Sequence, residues 1–171
     1  MTRMRVTLPF LLSLGSNLGN REATIRSAVA AIAVIPGVTM LRASALVESA
    51  ALKPNGVDPA APAYLNAAVS IRTAMAPEEL LTALNAIEAA LGRIRDERWG
   101  DRTIDIDIVS MGALTHSSAR LQIPHPRAAE RAFVIVPWLQ IEPEAALPGV
   151  GRIDAIDLTD VVTPYEAEPL L

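Results

Sequence analysis

Ile104-Asp105-Ile106-Asp107-Ile108 alternates apolar and acidic residues, which is the pattern of a half-buried β-strand. The isoleucines would lie on one face, and Asp105 and Asp107 would lie side by side on the other. Two adjacent carboxylates repel each other, so a fold that keeps both near one point usually supplies a cation. Mg²⁺ is normally held by one or two carboxylates together with substrate phosphates. The alternative, a solvated acidic face on a surface strand, stays open from this pattern alone.

Four arginines precede this strand in a predicted loop: Arg93, Arg95, Arg98 and Arg102. Guanidinium groups are suited to bidentate contact with phosphate oxygens. The segment from Arg93 to Asp107 also holds five acidic residues, so the arginines can bind phosphate only if the fold separates the two signs of charge. Metal-binding carboxylates beside arginines predict nucleotide chemistry.

Composition limits the class of protein. The chain has 171 residues, of which 51% are hydrophobic, so we expect one domain, residues 1–171, with a substantial core. A formal net charge of −4 opposes binding to nucleic acid, and no apolar run approaches the ~20 residues that span a bilayer. The lack of cysteine excludes disulfides and thiolate zinc sites. We therefore expect a cytoplasmic monomer without nucleic-acid or membrane partners.

The N-terminus weakly imitates a signal peptide, because two arginines precede an apolar run over residues 6–14. Pro9 interrupts that run, and Gly15-Ser16-Asn17 is typical of a tight turn that leaves a strand. We therefore favour a strand over residues 10–14.

Periodicity predicts a β-α-β-β-α-β order of elements. These are a strand at 10–14, a helix from the N-cap Asn20 to about Ile35, a strand from Val38 to about Glu48, a loop over 49–63, a strand over 64–72, a helix from Pro77 to about Leu91, and the strand at 104–108. After Pro124 only a helical stretch near Arg127–Leu139 is patterned.

This order is typical of an α+β, ferredoxin-like split βαβ fold, in which helices cover one face of an antiparallel sheet. Here it would carry a helical C-terminal extension. Strand parity then places Tyr64 and Asn66 on the same helix-free face as Asp105 and Asp107, provided that no strand is shifted by one residue.

Four motifs, in this order, resemble those of a known family: Leu14-Gly15-Ser16-Asn17-Leu18-Gly19, Tyr64-Leu65-Asn66-Ala67-Ala68-Val69, Arg98-Trp99-Gly100 with Arg102-Thr103-Ile104-Asp105-Ile106-Asp107-Ile108, and Pro124-His125-Pro126-Arg127. With Arg131 and Phe133 following, the chain resembles 6-hydroxymethyl-7,8-dihydropterin pyrophosphokinase over about residues 10–148. The resemblance implies transfer of pyrophosphate from ATP to the hydroxymethyl oxygen of the pterin, with release of AMP, in folate biosynthesis.

The resemblance also implies roles for individual residues. Asp105 and Asp107 would hold two Mg²⁺ ions that bridge the ATP phosphates. The catalytic set would be Arg93, Arg95, Arg102, Asp105 and Asp107. Contacts to ATP would come from Asn85, Glu88, Arg98, Trp99, Arg102, Arg120, Gln122, His125 and Arg131. Contacts to the pterin would come from Ser49, Ala50, Leu52, Tyr64, Asn66 and Phe133.

Within these sets, Tyr64 and Phe133 would sandwich the flat ring, and Asn66 would bind its amide edge. Each has an ordinary structural alternative: a strand aromatic, a core phenylalanine and an asparagine that satisfies loop backbone. His125 is expected to hydrogen-bond phosphate rather than to act as a general base.

Two positions depart from the family pattern, which has proline where this chain has Ala50 and Asp101. Asp101 would place a negative charge beside the phosphate-binding arginines. Two other functions remain open from the residues alone. One is a different Mg²⁺-dependent enzyme, such as a nucleotidyl transferase or phosphodiesterase, and the other is a non-catalytic ligand-sensing module.

Overall fold

The computed structural model of this chain describes residues 5–53, 56–58, 63–92 and 103–171, and only the backbone for 51–53 and 57–58. The described residues form mixed α/β structure with an antiparallel main sheet. The α-helices among them are α1 (Arg21–Ala33), α2 (Pro77–Ala90) and α3 (Ala132–Ile141).

A strand is present in each segment for which the sequence predicts one, although one predicted strand is divided in two, and several further short strands were not predicted. They are β1 (Leu8–Ser16), β2 (Val38–Ala43), β3 (Val47–Ser49), β4 (Ala51–Lys53), β5 (Gly56–Asp58), β6 (Tyr64–Thr73), β7 (Asp105–Ser110), β8 (His116–Ser117), β9 (Gln122–Ile123), β10 (Ala146–Leu147), β11 (Gly151–Arg152) and β12 (Val162–Pro164).

The main sheet has the strand order β12-β3-β6-β1-β7, and β2 also pairs with β6. All of these neighbours are antiparallel. The two long central strands, β1 and β6, therefore carry the sheet, and β7 with its two aspartates lies at one edge of it.

The alternation predicted for the strands is confirmed by burial. Leu12, Val69 and Ile106 belong to one buried cluster, which also contains Ile25 of α1 and Leu84 of α2. Both helices therefore pack on the same face of the sheet. The alternate positions of these strands, including both aspartates of β7, are directed to the opposite face.

The predicted helix starts are confirmed. The Asn20 side chain accepts a hydrogen bond of 3.1 Å from the backbone N–H of Ala23, as expected of an N-cap. Pro77 is the first residue of α2, where its missing N–H costs no helical bond. The first helix ends at Ala33, slightly before the predicted end at Ile35.

The prediction of one continuous strand from Val38 to Glu48 was wrong. The segment is divided into β2 and β3, and Ser44 lies between them. Its backbone N–H donates to the carbonyl of Ala68 at 2.9 Å, and its Oγ accepts from the N–H of Ala68 at 2.9 Å. A side chain thus takes the place of a backbone group in the ladder, so the strand is interrupted although its hydrophobic pattern continues.

The prediction of a loop over residues 49–63 was wrong in part. Residues 51–53 and 56–58 pair as a short antiparallel hairpin, with Lys53 opposite Gly56. The proline, asparagine and glycine content that suggested a loop is equally typical of a short hairpin connection.

The prediction that the second face of the sheet is helix-free was wrong. Leu11, Ala68 and Val109 on this face form a second buried cluster with residues of α3 that include Ile135 and Trp138. Because α3 is apolar on most sides, it covers the sheet here as α1 and α2 cover the other face. The sheet is therefore covered by helices on both faces.

The chain after α3, which shows little pattern in the sequence, forms the β10–β11 hairpin and then returns to add β12 to the edge of β3. Every helix of the described residues is too short or too polar to cross a lipid bilayer.

Candidate active site

The register of the central strands brings predicted site residues together across Gly15. Gly15 of β1 lies opposite Asn66 of β6 on one side and opposite Asp105 of β7 on the other. Two residues earlier on β1, Ser13 lies opposite Asp107. The predicted pterin-binding amide on β6 and the predicted metal-binding carboxylates on β7 therefore lie on one face of the sheet, on the two strands that flank β1.

Gly15 makes room for two side chains of the predicted pterin set. A Cβ atom at this position would lie 3.1 Å from Oδ1 of Asn66 and 3.4 Å from Cδ1 of Tyr64. Asn66 is only 2% exposed, and its Nδ2 donates to Oγ of Ser49 at 2.8 Å. Ser49, Tyr64 and Asn66 thus lie together next to Gly15, and we call these three residues the Ser49 wall. The prediction of a tight turn at Gly15-Ser16-Asn17 was wrong for Gly15 and Ser16, because both residues are paired within β1.

The two aspartates share their surroundings with His125 and Arg131. Oδ2 of Asp107 lies 3.9 Å from Nε2 of His125. Burial lowers the pKa of Arg131, and the charges of Asp107 and Asp105 oppose that shift. Arg127, which sequence reasoning left without a role, adds positive charge that lowers the pKa of both His125 and Arg131.

His125 is held in a defined state by its backbone neighbours. Its own N–H donates to the carbonyl of Val109 at 2.9 Å, and its Nδ1 accepts from the N–H of Arg127 at 3.1 Å. In the neutral ring the proton must then be on Nε2, the nitrogen that faces Asp107. Burial, followed by the charge of Arg131, lowers the pKa of His125 to about 4. At neutral pH the ring is an uncharged hydrogen-bond donor.

Arg131 and Phe133 lie together at the start of α3. The guanidinium carbon of Arg131 is 5.4 Å from the centroid of the Phe133 ring, within the range of a cation–π contact. Both residues are partly exposed. A predicted phosphate ligand and a predicted pterin-stacking ring therefore flank Ala132, the first residue of the helix.

Glu88 of α2 holds β7 from the face of the sheet opposite the two aspartates. It is 1% exposed, and its Oε1 accepts a hydrogen bond of 2.7 Å from the backbone N–H of Ile106. Ile106 separates Asp105 from Asp107. The contact described for Glu88 is thus with the backbone of β7, and its predicted contact with ATP stays a prediction. Asn85, on the same helix, is partly exposed.

Arg120 and Gln122, two predicted ATP ligands, are exposed near the β8–β9 hairpin. Nη2 of Arg120 donates to Oγ1 of Thr82 at 3.3 Å, and Nη1 lies 3.8 Å from Oε2 of Glu78. The described contacts of Arg120 are thus with α2. Gln122 lies in β9, opposite Ser117 of β8.

His116 of β8 is partly exposed and contacts α2. Its Nε2 lies 3.0 Å from Oε1 of Glu78, and its side chain is 27% exposed. Hydrogen bonds from Ser118 and His116 lower the pKa of Glu78. The β8–β9 hairpin is in this way attached to the first turn of α2.

Several predicted site residues lie outside the described residues: Arg93, Arg95, Arg98, Trp99 and Arg102, together with the departure at Asp101. The side chain of Leu52 is likewise not described, and Ala50 is exposed between β3 and β4. The described residues on either side of the arginine segment are linked, because Oγ1 of Thr103 donates to the carbonyl of Gly92 at 3.2 Å. Oγ of Ser16 donates to the carbonyl of Thr103 at 2.5 Å, which joins this point to β1.

Within residues 5–53, 56–58, 63–92 and 103–171, no group of three or more His, Cys, Asp or Glu residues is arranged to hold a metal ion. The acidic pair on β7 consists of two carboxylates on one face of one strand. Such a pair can supply only part of a coordination shell, so further ligands would have to come from a substrate or from water.

The model of the family described as 7,8-dihydro-6-hydroxymethylpterin-pyrophosphokinase (HPPK) matches residues 11–143. The chain belongs to the HPPK family. This match includes every site residue discussed above, and it ends close to the C-terminus of α3.

Relatives of similar length support the membership in the HPPK family. All three described here are named 2-amino-4-hydroxy-6-hydroxymethyldihydropteridine pyrophosphokinase. The protein from Synechocystis sp. is 37% identical over 161 residues, which cover 93% of this chain and 80% of the relative. The protein from Methylorubrum extorquens is 41% identical over 87% of this chain and 92% of its own. The protein from Bacillus subtilis is 41% identical over 76% of this chain and 75% of its own length.

Solved structures of HPPK-DHPS from Plasmodium falciparum share the fold. One has a TM-score of 0.70 at 14% identity and covers 91% of this chain. The wild-type protein with pteroate has a TM-score of 0.68, also at 14% identity. This chain spans less than half of those longer chains, 46% and 43% respectively. At such low identity the likeness shows the HPPK fold alone.

Proposed function

We propose that this protein transfers pyrophosphate from ATP to the hydroxymethyl oxygen of 6-hydroxymethyl-7,8-dihydropterin, releases AMP and acts in folate biosynthesis. Its family is that of the pyrophosphokinases, and its relatives carry the same activity in their names. The structural observation that carries the proposal is the register that places Asn66 and Asp105 on either side of Gly15. It puts an amide suited to a pterin beside carboxylates suited to a metal-bound triphosphate.

The pterin would bind against the wall of Ser49, Tyr64 and Asn66. A planar heterocycle needs an aromatic face and paired polar groups at its edge, and a tyrosine ring and an asparagine amide meet that need. Phe133, at the start of α3, would supply the second ring. Ala50 and Leu52 would contribute backbone groups next to Ser49.

The metal would be Mg²⁺, and Asp105 and Asp107 would hold it. Two hard carboxylate oxygens with substrate phosphates as the other ligands are a donor set that suits this ion. Bound there, a pair of Mg²⁺ ions would neutralise charge on the ATP phosphates.

The phosphates would also receive hydrogen bonds from the chain itself. His125 presents Nε2–H, and its low pKa, about 4, makes it a donor rather than a base at neutral pH. Arg131 adds a partly desolvated positive charge, which acts more strongly than an exposed one. Arg93, Arg95 and Arg102 are proposed as the remaining catalytic phosphate ligands.

ATP would be held further by residues around α2 and the β8–β9 hairpin. The proposed contacts are those of Asn85, Glu88, Arg98, Trp99, Arg120 and Gln122. In this arrangement the hydroxymethyl oxygen of the pterin attacks the β-phosphorus and AMP departs, so that positioning and charge neutralisation supply most of the catalysis.

We also propose the ferredoxin-like arrangement for the core. The strand order β3-β6-β1-β7 with α1 and α2 on one face supports it. The two clusters of buried residues share β1, β6 and β7, which supports a single domain over residues 1–171. That the protein is a monomer in the cytoplasm stays a prediction.

The test is product analysis with the purified chain, Mg²⁺, ATP and 6-hydroxymethyl-7,8-dihydropterin. AMP and the pterin diphosphate are expected in equal amounts, and neither should form when the pterin or the Mg²⁺ is left out. Formation of ADP would contradict attack at the β-phosphorus. Cleavage of ATP at the same rate without the pterin would indicate a different Mg²⁺-dependent enzyme.

A further inference from the structure

The chain beyond the residues matched by the family model returns to the site. We call residues 160–165 the C-terminal strap. Its strand β12 pairs with β3, with Val162 opposite Ser49 and Pro164 opposite Val47. β3 is therefore paired on both sides, by β6 and by the strap. The strap thus holds β3, the strand that carries Ser49, on the side opposite β6.

The strap also reaches the start of α3 through Asp160. The carboxylate oxygens of Asp160 lie 3.2 and 3.0 Å from the backbone nitrogen of Ala132 and accept its hydrogen bond. Ala132 is the first residue of α3 and is 2% exposed. The first N–H groups of a helix have no partner within the helix, and a carboxylate there is favourable both as an acceptor and as a negative charge. Arg131 and Phe133 are the two neighbours of the residue that Asp160 holds.

Tyr165, the last residue of the strap, is linked through Arg21 to the residue that precedes Tyr64. The N–H of Tyr165 donates to the carbonyl of Leu46 at 3.1 Å, and the Arg21 guanidinium lies 5.8 Å from the centre of its ring. Arg21 in turn donates to the Glu48 carboxylate at 2.8 Å and to the carbonyl of Ala63 at 2.9 Å. Ala63 directly precedes Tyr64 in the chain.

We propose that Asp160 is a positioning residue for the pterin subsite: its hydrogen bond to Ala132 fixes the start of α3, and with it Phe133, against the Ser49 wall that β12 holds. This inference rests on the proposed function, because it assigns the ligand between these walls as the pterin. A subsite whose walls are already fixed loses less conformational entropy when the ring binds. Asp160 itself does not contact the substrate.

The experiment compares Asp160→Ala and Asp160→Asn with the unaltered chain. The asparagine variant keeps one oxygen acceptor for the Ala132 N–H. Asp157→Ala is the matched control, because it removes an exposed carboxylate three residues earlier in the same segment. The dissociation constant of 6-hydroxymethyl-7,8-dihydropterin is measured by titration at a saturating concentration of a non-hydrolysable ATP analogue with Mg²⁺. The dissociation constant of the analogue alone is measured on the same samples, and circular dichroism checks that each variant is folded.

Asp160→Ala is expected to weaken pterin binding by about three- to tenfold, the range of one lost helix cap, and Asp160→Asn to weaken it less. Asp157→Ala should bind both ligands normally. In Asp160→Ala the ATP analogue should lose less affinity than the pterin, because Arg131 beside Ala132 is only one of several proposed phosphate ligands. A folded Asp160→Ala variant with unchanged pterin affinity would overturn the proposal. Equal losses for pterin and nucleotide would overturn it as well, since they indicate a general loss of stability. If the unaltered chain binds the nucleotide but not the pterin, the proposed function itself fails.

Discussion

Oε1 of the buried Glu88 accepts a 2.7 Å hydrogen bond from the backbone N–H of Ile106, the residue that separates Asp105 from Asp107. A carboxylate on one element thus fixes the backbone between two site side chains on another. Asp160 makes the same kind of contact with Ala132, between Arg131 and Phe133. Two parts of the site, β7 and the start of α3, are thus each held by an acidic side chain that accepts a hydrogen bond from the backbone.

Removal of the Glu88 carboxylate should loosen the aspartate strand. We expect Glu88→Ala to lower the free energy of unfolding by about 1–3 kcal/mol, because the Ile106 N–H is left buried without this acceptor. It should also raise the Mg²⁺ concentration needed for half-maximal activity by about tenfold, the usual effect of losing a group that orients metal ligands. Urea unfolding and a Mg²⁺ titration of AMP formation measure the two effects.

Two variants control this experiment. Glu88→Gln keeps an oxygen acceptor and should show smaller changes in both measurements. Glu144→Ala removes a carboxylate whose side chain is 87% exposed and should behave as the unaltered chain. A Glu88→Ala variant with unaltered stability would mean that the hydrogen bond to Ile106 contributes little.

The two aspartates should be needed for turnover and not for folding. Asp105→Asn and Asp107→Asn each remove a negative charge from the proposed metal site and keep the side-chain shape. We expect AMP formation to fall by about 100-fold or more, since electrostatic stabilisation of the phosphates is lost, while the thermal unfolding midpoint stays close to that of the unaltered chain. Asp157→Asn, in the exposed tail, is the matched control. Normal activity in either site variant would remove the metal assignment.

A methyl group at Gly15 should damage pterin binding selectively. The new Cβ would lie 3.1 Å from Oδ1 of Asn66 and 3.4 Å from the Tyr64 ring, so one of these side chains must move. A shift that costs about 1–3 kcal/mol corresponds to roughly a 5- to 150-fold weaker pterin complex. Titration of Gly15→Ala with the pterin measures the effect, and titration with an ATP analogue on the same sample is the control. Unchanged pterin affinity would place the ring away from Gly15.

His125 should make the protein less stable in mild acid. Its pKa is about 4 in the folded protein against 6.5 for an ordinary histidine, so between these values the unfolded chain binds the proton and the folded chain does not. Stability is therefore full above about pH 7 and falls as the pH drops towards 4, by at most about 3 kcal/mol from this group. Urea unfolding of the unaltered chain and of His125→Gln from pH 4.5 to 9 tests this. The difference in the free energy of unfolding between the unaltered chain and His125→Gln should change with pH below pH 6.5 and stay constant above pH 7. A constant difference over the whole range would contradict the lowered pKa.

The core elements could be predicted because their signals are local. Alternation at Ile104–Ile108 and helical spacing in α1 and α2 each depend on one stretch of chain facing one core. The interruption at Ser44 could not be predicted in this way. From Ala43 to Val47 the chain advances four residues, while its partner strand advances three, from Val69 to Asn66. Nothing in the apolar pattern marks that extra residue, because the cause is a side-chain contact with another strand.

The position of α3 shows the same limit. The sequence predicts an apolar helix, and the helix is present at Ala132–Ile141. Which surface it covers depends on the path of the chain after β9, so the face predicted to be helix-free is in fact shared between α3 and the site. The strap is a stronger example, since its residues show no periodicity and are placed by contacts with β3, α1 and α3.

The sequence by itself determined the order of the core elements, the face of each long strand and the motifs that place the chain in its family, because periodicity and motif spacing are properties of neighbouring residues. The tertiary structure alone decided that Gly15 lies between Asn66 and Asp105, that His125 carries its proton on Nε2, and that Glu88 and Asp160 hold β7 and the start of α3. These depend on strand register and on hydrogen bonds between residues distant in the chain, whose energies exist only once the sheet and its helices have packed.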